Sequence, residues 1–300
     1  MSRVLLTGAS GFIGRNALDA LLEGGHEVHA VARRPGPPRE GVTWHEADLL
    51  APGAAEGLAR AARAEDLLHL AWYAAHGSFW TAPENERWID ASLRLLRAFG
   101  EAGGRRAAMA GTCAEYAWGE PLLRERGTSL EPATLYGACK HATHVAASAL
   151  ARQLGVSLAW GRIFFLYGPG EDPGRLVASV ARGLLAGEEV PTTEGLQERD
   201  FMHVRDVAGA LVALLCSEAS GAVNIASGRA VPVRDLVSMI AAEAGGSGRV
   251  RFGELPSRPD EPPVIAGDAG RLLDEVGFRP QIGLEQGIRE TVASLRGGGG

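Results

Sequence analysis

The stretch 6-LTGASGFIGRNALDALLEGGHEVHAVARR-34 constrains the fold more than any other part of the chain. Residues 3-RVLLTG-8 are a short apolar run of strand formers ended by a glycine, after which Ile13, Ala17, Leu18, Leu21 and Leu22 recur at helical spacing. Gly24-Gly25 closes that helix and 27-EVHAVARR-34 reads as a second strand, so the opening segment is a βαβ unit with parallel strands. Gly8, Gly11 and Gly14 therefore lie where the first strand turns into the first helix. Without side chains the backbone turns sharply there, and the N–H groups and positive end of the helix face an approaching anion. This context predicts a pyrophosphate-binding turn for a dinucleotide, spaced GxxGxxG rather than GxGxxG.

Alternation continues through 66-DLLHLAW-72, a helix around 84-ENERWIDASLRLLRAFGEAG-103, 106-RAAMAGT-112, the alanine-rich helix 137-GACKHATHVAASALARQLG-155 and 157-SLAWGRIFFLYG-168. That spacing predicts an α/β fold, a Rossmann-like doubly wound parallel sheet with helices on both faces. After Pro169 turn residues crowd 168-GPGEDPG-174, while 221-GAVNIASG-228 and 248-GRVRFG-253 read as small strands. We expect residues 1–168, with a returning segment about 200–222 that carries helix 204–218, to form the dinucleotide-binding domain. Residues 169–199 and 223–296 would form a smaller C-terminal substrate-binding lobe, and 297–300 a disordered tail.

Composition excludes several functions. A net charge of -6 with no long Lys/Arg cluster argues against a nucleic-acid partner. Cys113, Cys139 and Cys216 are an odd number without CxxC spacing, which supports neither a disulfide framework nor a zinc site and fits a reducing cytoplasm. No apolar run approaches the ~20 residues that a bilayer needs, and the chain enters a strand at once rather than a signal peptide, so neither membrane insertion nor secretion is expected. His141 and His144 lie three apart without a third ligand at metal spacing, so no metal is expected.

Tyr136 and Lys140 lie four apart at the start of a helix and project from one face on adjacent turns. A phenol is protonated at neutral pH, and a nearby ammonium favours the phenolate, so Lys140 is expected to tune Tyr136 toward acid/base work. Tyr136 could then protonate a carbonyl oxygen as hydride arrives at its carbon, or do the reverse.

In order along the chain stand 7-TGASGFIG-14, Asp48 in 46-EADLL-50, 69-HLAW-72, 111-GTCAEY-116, 136-YGACK-140, 162-RIFFLYGPG-170, 198-ERDFMHVRDVA-208, 223-VNIASG-228 and 258-RPDEPP-263. With these motifs the chain resembles, nearly end to end, the extended short-chain dehydrogenase/reductase family of NAD(P)-dependent nucleotide-sugar epimerases, dehydratases and reductases. The resemblance implies that Tyr136 and Thr112 handle the reacting oxygen and that Lys140 also holds the nicotinamide ribose. It further implies cofactor contacts from Gly8, Gly11, Phe12, Ile13, Gly14, Leu49, Leu70 and Ala71, and an adenine contact from Asp48. Helices 84–103 and 137–155 form a two-fold interface in many relatives, which implies a homodimer.

Where family 4,6-dehydratases resemble TDEVYG, this chain has Thr112, Cys113, Ala114, Glu115 and Tyr116, with neither acid/base carboxylate in place. Dehydration is therefore not expected. NAD sites carry a carboxylate at the end of the second strand, whereas an arginine there accommodates the 2′-phosphate of NADP. The resemblance puts Ala32 at that position, followed by Arg33 and Arg34, which favours NADP(H) over NAD(H). An exchanging NADPH implies net reduction, so the expected activity is reduction of a keto group at C4 of a nucleotide-linked deoxysugar. The rivals are an epimerase with tightly bound NAD, a non-catalytic NADP(H)-binding sensor and a reductase of small aldehydes or ketones.

On the substrate side the resemblance implicates Trp72, Cys113, Ala114, Glu115, Phe165 and Arg258. Phe165 stands where the family commonly has Asn in RxxNVYGP, and Arg258 resembles the arginine that grips the nucleotide pyrophosphate. The aromatic insert 72-WYAAHGSFWTAPENERW-88 either offers rings to a sugar or base, or anchors a loop to the core. His203 and Asp206 are implied to organise the lobe junction.

Overall fold

The computed structural model describes residues 2–258 and 261–297. The chain runs through β1 (Arg3–Thr7), α1 (Phe12–Glu23), β2 (Glu27–Ala32), β3 (Val42–Glu46), α2 (Ala54–Ala62), β4 (Asp66–His69), α3 (Glu84–Glu101), β5 (Arg106–Thr112), α4 (Leu135–Leu154) and β6 (Ser157–Ile163). It continues through β7 (Phe165–Tyr167), α5 (Leu176–Leu185), β8 (Val190–Thr192), β9 (Glu198–His203), α6 (Val204–Cys216) and β10 (Gly221–Ile225). The last elements are β11 (Ala230–Pro232), α7 (Val233–Ala244), β12 (Val250–Phe252), β13 (Val264–Ile265), α8 (Gly270–Asp274) and α9 (Leu284–Gly297).

Seven strands form one parallel sheet in the order β10-β6-β5-β4-β1-β2-β3. Strand alternation sends successive side chains to opposite faces. Val4 and Leu6 pack with Leu18, Leu21 and Leu211 of α1 and α6. Leu5 and Leu67 pack on the other face with Leu58, Leu95, Leu96 and Leu150 of α2, α3 and α4. Strand order reverses between β1 and β4, and in a doubly wound sheet that reversal opens a crevice at the carboxyl ends of the strands.

β3 and α2 are not among the elements expected from the sequence; 42-VTWHE-46 is a half-exposed strand at the sheet edge whose apolar alternation is only Val42 and Trp44, both packed against the core. The single strand expected over 157–168 is two: β6 ends at Ile163, and β7 leaves the large sheet to pair with β9 in a second sheet that also holds β11 and β13. The strand expected within 221–228 belongs to the large sheet, as β10 pairs in parallel with β6 and buries Val223 and Ile225. A boundary near 222 therefore falls inside a strand. The lobe has its own core, in which Val180 and Leu184 of α5, Leu236 and Ile240 of α7, and Ile288 and Val292 of α9 meet. Gly297 closes α9, and the remainder of the expected tail lies outside the described residues. No described helix is long and apolar enough to cross a membrane.

Candidate active site

The glycine turn lies at the strand reversal. Gly8 adopts a φ of +72°, and its carbonyl accepts from Gly11 N–H at 2.9 Å. A Cβ at Gly14 would stand 2.0 Å from the Gly8 oxygen, and one at Gly8 would stand 2.8 Å from the Ala71 nitrogen, so the turn is closed to side chains. Leu70 and Ala71, just after β4, back this turn. α1 begins at Phe12 with no side-chain cap and no acidic residue in its first turn. The leading N–H groups of a helix have no partner within it, so Phe12 and Ile13 fit an anion such as a dinucleotide pyrophosphate.

Ala32 ends β2, and the exposed Arg33 and Arg34 follow it at once. With Ser10 they line a cavity of about 430 Å³ beside the glycine turn. Arg39 is instead taken up by Asp19 at 2.5 Å. Asp48 is exposed after β3 and accepts from Leu50 N–H at 3.0 Å, while Leu49 is buried.

Thr112 ends β5, and Tyr136 lies in the first turn of α4, whose start Thr134 caps by accepting from Gly137 N–H at 3.1 Å. Burial pushes the Tyr136 phenol above its ordinary pKa, while a hydrogen bond with Thr112 acts the other way. The phenol is thus protonated at neutral pH. Lys140 is 4% exposed, donates from Nζ to the Ala110 carbonyl at 2.7 Å and stands 3.9 Å from the centre of the Trp72 ring. Burial lowers its pKa to about 7, against the pull of Glu115. The expected tuning of Tyr136 by Lys140 is not found: the amine is turned to Ala110 and Trp72, and burial followed by Thr112 sets the phenol.

Glu115 is fully buried and corrects the expectation that it lines the substrate site. Its Oε1 accepts from Thr112 N–H at 2.8 Å and Trp160 Nε1 at 2.9 Å, and its Oε2 from Arg162 Nε at 2.9 Å. This carboxylate holds the turn after β5 and so places Thr112. It also brings a ligand atom within 4.8 Å of His141 and His144, a third donor that spacing along the chain does not reveal. The three hydrogen bonds already on the carboxylate and the adjacent guanidinium make the group a poor cation site. Cys113 and Ala114 are buried as well; Cys113 lies in an apolar cluster with Tyr116 and Phe164, and burial raises its thiol to about 12. The Ala114 carbonyl packs against Gly137, where a Cβ would stand 2.2 Å away.

The aromatic insert is anchored, and it closes on Tyr136. Trp72 Nε1 donates to Asn85 Oδ1 at 2.7 Å, and Asn85 Nδ2 donates to the carbonyls of Phe79 and Ala82 at 2.7 and 2.9 Å. The rings of Phe79 and Trp80 stand edge-on to Tyr136 at 5.0 and 5.8 Å, and Tyr136 N–H donates to the Trp80 carbonyl at 3.1 Å. Sequence reasoning passed over Asn85, whose neighbours give no sign that it is buried. It also passed over Arg199, although that residue lies in the quoted 198–208 motif. Arg199 is 4% exposed, pairs with Glu261 at 2.8 Å and faces the Phe165 ring at 5.6 Å, which places a paired guanidinium beside Phe165. Arg258 is exposed on the neighbouring loop, whose residues 259 and 260 lie outside the described structure. His203 Nδ1 accepts from Arg205 N–H at 3.3 Å, and the Asp206 carboxylate accepts from Gln281 and Ile282 N–H groups at 3.0 and 2.8 Å. His203 thus caps α6, and Asp206 ties that helix to the segment before α9.

Residues 4–226 match the model of the NAD dependent epimerase/dehydratase family. The chain is 27% identical to UDP-glucuronic acid decarboxylase 1 of Xenopus tropicalis, over 98% of this chain and 72% of that protein. It is likewise 27% identical to GDP-6-deoxy-D-mannose reductase of Pseudomonas aeruginosa, over 97% and 96% of the two chains. Among solved structures, UDP-glucose 4-epimerase of Thermus thermophilus, in complex with NAD, superposes with a TM-score of 0.87 at 28% identity, covering 99% of both chains.

Proposed function

Because the chain belongs to the NAD dependent epimerase/dehydratase family, we propose that it is an NADP(H)-dependent reductase of a keto group, at C4, on a nucleotide-linked deoxysugar. The observation that carries the choice of reduction is the cavity formed by Ser10, Arg33 and Arg34 beyond β2. Two guanidinium groups at the end of that strand match a 2′-phosphate, and Ala32 supplies no carboxylate to bind a ribose 2′-hydroxyl or repel a phosphate.

A nicotinamide held in this crevice would supply the hydride. Tyr136, neutral at pH 7 as any phenol is and held further in that form by desolvation, would give its hydroxyl proton to the substrate carbonyl oxygen, with Thr112 on the other side. The tyrosine that starts out protonated suits reduction, since the acid is already loaded when hydride arrives. Lys140 holds the nicotinamide ribose, the N–H groups of Phe12 and Ile13 the pyrophosphate, and Arg199 with Arg258 the charged nucleotide portion of the substrate. The insert over Tyr136 keeps water from the reacting carbonyl. Deoxysugar biosynthesis in a reducing cytoplasm is the fitting context, and thermal shifts with UDP, dTDP, CDP and GDP would identify the base. We also infer a homodimer through α3 and α4, because α4 exposes the small apolar residues Ala142, Val145 and Ala149.

Replacing Arg33 and Arg34 by Ala tests the reading. Loss of charge-assisted contacts to a phosphate should raise KM for NADPH by about 10- to 100-fold and leave KM for NADH nearly unchanged. An unaltered cofactor preference would overturn it. The second reading, an epimerase that cycles bound NAD, is favoured by the NAD in the Thermus thermophilus epimerase structure.

A further inference from the structure

Lys140 is the one lysine among the 30 basic residues of the chain, and its surroundings are built with care for a single amine. On one side Nζ donates to the Ala110 carbonyl, and on another it faces the Trp72 indole at 3.9 Å. The indole is fixed in turn: its Nε1 donates to Asn85, and its ring stacks on Trp88 with centroids 6.0 Å apart. Asn85 is fully buried and spends its other polar atom on the Phe79 and Ala82 carbonyls, which closes the loop that begins at Trp72. We propose that Trp72 is a positioning residue for Lys140, held in place by Asn85, and that its ring face keeps the amine charged and aimed.

The donor count gives the reason. An ammonium has three N–H donors. One goes to Ala110 and one to the indole face, which leaves the third for a ligand hydroxyl. A neutral amine has only two, and both would be consumed. Burial brings Lys140 to about 7, so near neutrality the balance between the two forms is set by its neighbours. A ring quadrupole favours the cation. Glu115 favours it too, although Arg162 already pairs with that carboxylate and His144 lies beside it. His69 faces the amine as a neutral ring, its own pKa lowered to about 3 by burial and by Lys140, and Tyr136 on the preceding turn is uncharged. The use of the third N–H on a nicotinamide ribose rests on the proposed function; the way the amine is held does not.

A single lysine permits a direct test. In full-length protein labelled with [ε-13C]lysine, one resonance reports Lys140, and its pH titration is followed without substrate. Trp72→Leu retains apolar bulk and removes the ring, so the midpoint should fall by about one pH unit. Trp72→Phe keeps a weaker face and should fall less, and Asn85→Ala, which releases the indole, should fall in the same direction. If Trp72→Leu does not fold, replacing all six tryptophans by 5-fluorotryptophan weakens the ring face at nearly constant shape and should lower the midpoint as well. An unchanged or raised midpoint in the leucine protein, or in the fluorinated protein where the leucine one is unfolded, overturns the proposal. In the folded variant the NADPH dissociation constant should rise more at about pH 8 than at about pH 6, because fewer amines stay charged at the higher pH. Failure of the reductase reading would leave the midpoint shift intact, so the two failures are distinguishable.

Discussion

The proposed chemistry rests on Tyr136 and the groups around its hydroxyl. The phenol is kept neutral by burial, so Tyr136→Phe should lower turnover by about 10²- to 10⁴-fold while NADPH still binds, as steady-state rates and fluorescence titration would report. His69 shows the same preference of a buried site for the neutral form, here in a base, so its pKa falls instead of rising. Its imidazole is wedged between Thr7 Oγ1 at 2.7 Å and Ser92 Oγ at 2.9 Å, and its folded-state pKa is about 3 against an ordinary 6.5. The unfolded chain therefore binds a proton below about 6.5 that the folded chain refuses. Stability from this residue is complete above that pH and is lost as pH falls toward about 3, and His144, lowered to about 4, acts in the same sense. Denaturant midpoints measured across that window should fall with pH, and less steeply in His69→Gln.

Single elements show how much of the site could be read in the sequence. The glycine turn was legible because strand, glycines and helix follow one another locally, and Tyr136 and Lys140 because helical spacing fixes a shared face. Gly14→Ala should raise the NADPH dissociation constant by at least about 10-fold, measured calorimetrically, since a Cβ 2.0 Å from the Gly8 oxygen forces the turn to open. Glu115 was misread for the complementary reason. Its partners Trp160 and Arg162 come from β6, the neighbour of β5 in the sheet, and only strand pairing reveals that the carboxylate turns inward. Glu115→Gln removes the counter-charge of a guanidinium that is 1% exposed, and should cost about 3 to 5 kcal/mol in denaturant unfolding. The direction of Lys140 was hidden in the same way, because Trp72 and Asn85 become its neighbours only when the insert folds back over α4.

At the scale of the molecule, the crevice at the β1–β4 reversal holds the glycine turn and the arginine cavity, while β7 and β9 pair in the second sheet. Arg15 on α1 donates to the Pro169 and Gly170 carbonyls at 3.3 and 2.6 Å, which links that helix to the loop after β7. Periodicity revealed the sheet but not the lobe's membership, because β7 and β10 are short strands whose sheet is chosen by long-range pairing. If α3 and α4 form the interface between copies, Val145→Glu, at a position 57% exposed in the single chain, should convert a dimer to a monomer in sedimentation. Consumption of an exchanging NADPH is tested by one stoichiometric measurement. Purified protein is denatured and its supernatant assayed for released nicotinamide dinucleotide, while native protein is mixed with NADPH and a panel of nucleotide-linked 4-keto-6-deoxysugars. The expected result is no stoichiometric NAD in the supernatant and one NADPH oxidised per sugar reduced; one NAD released per chain, with no NADPH consumed on any sugar, would contradict it.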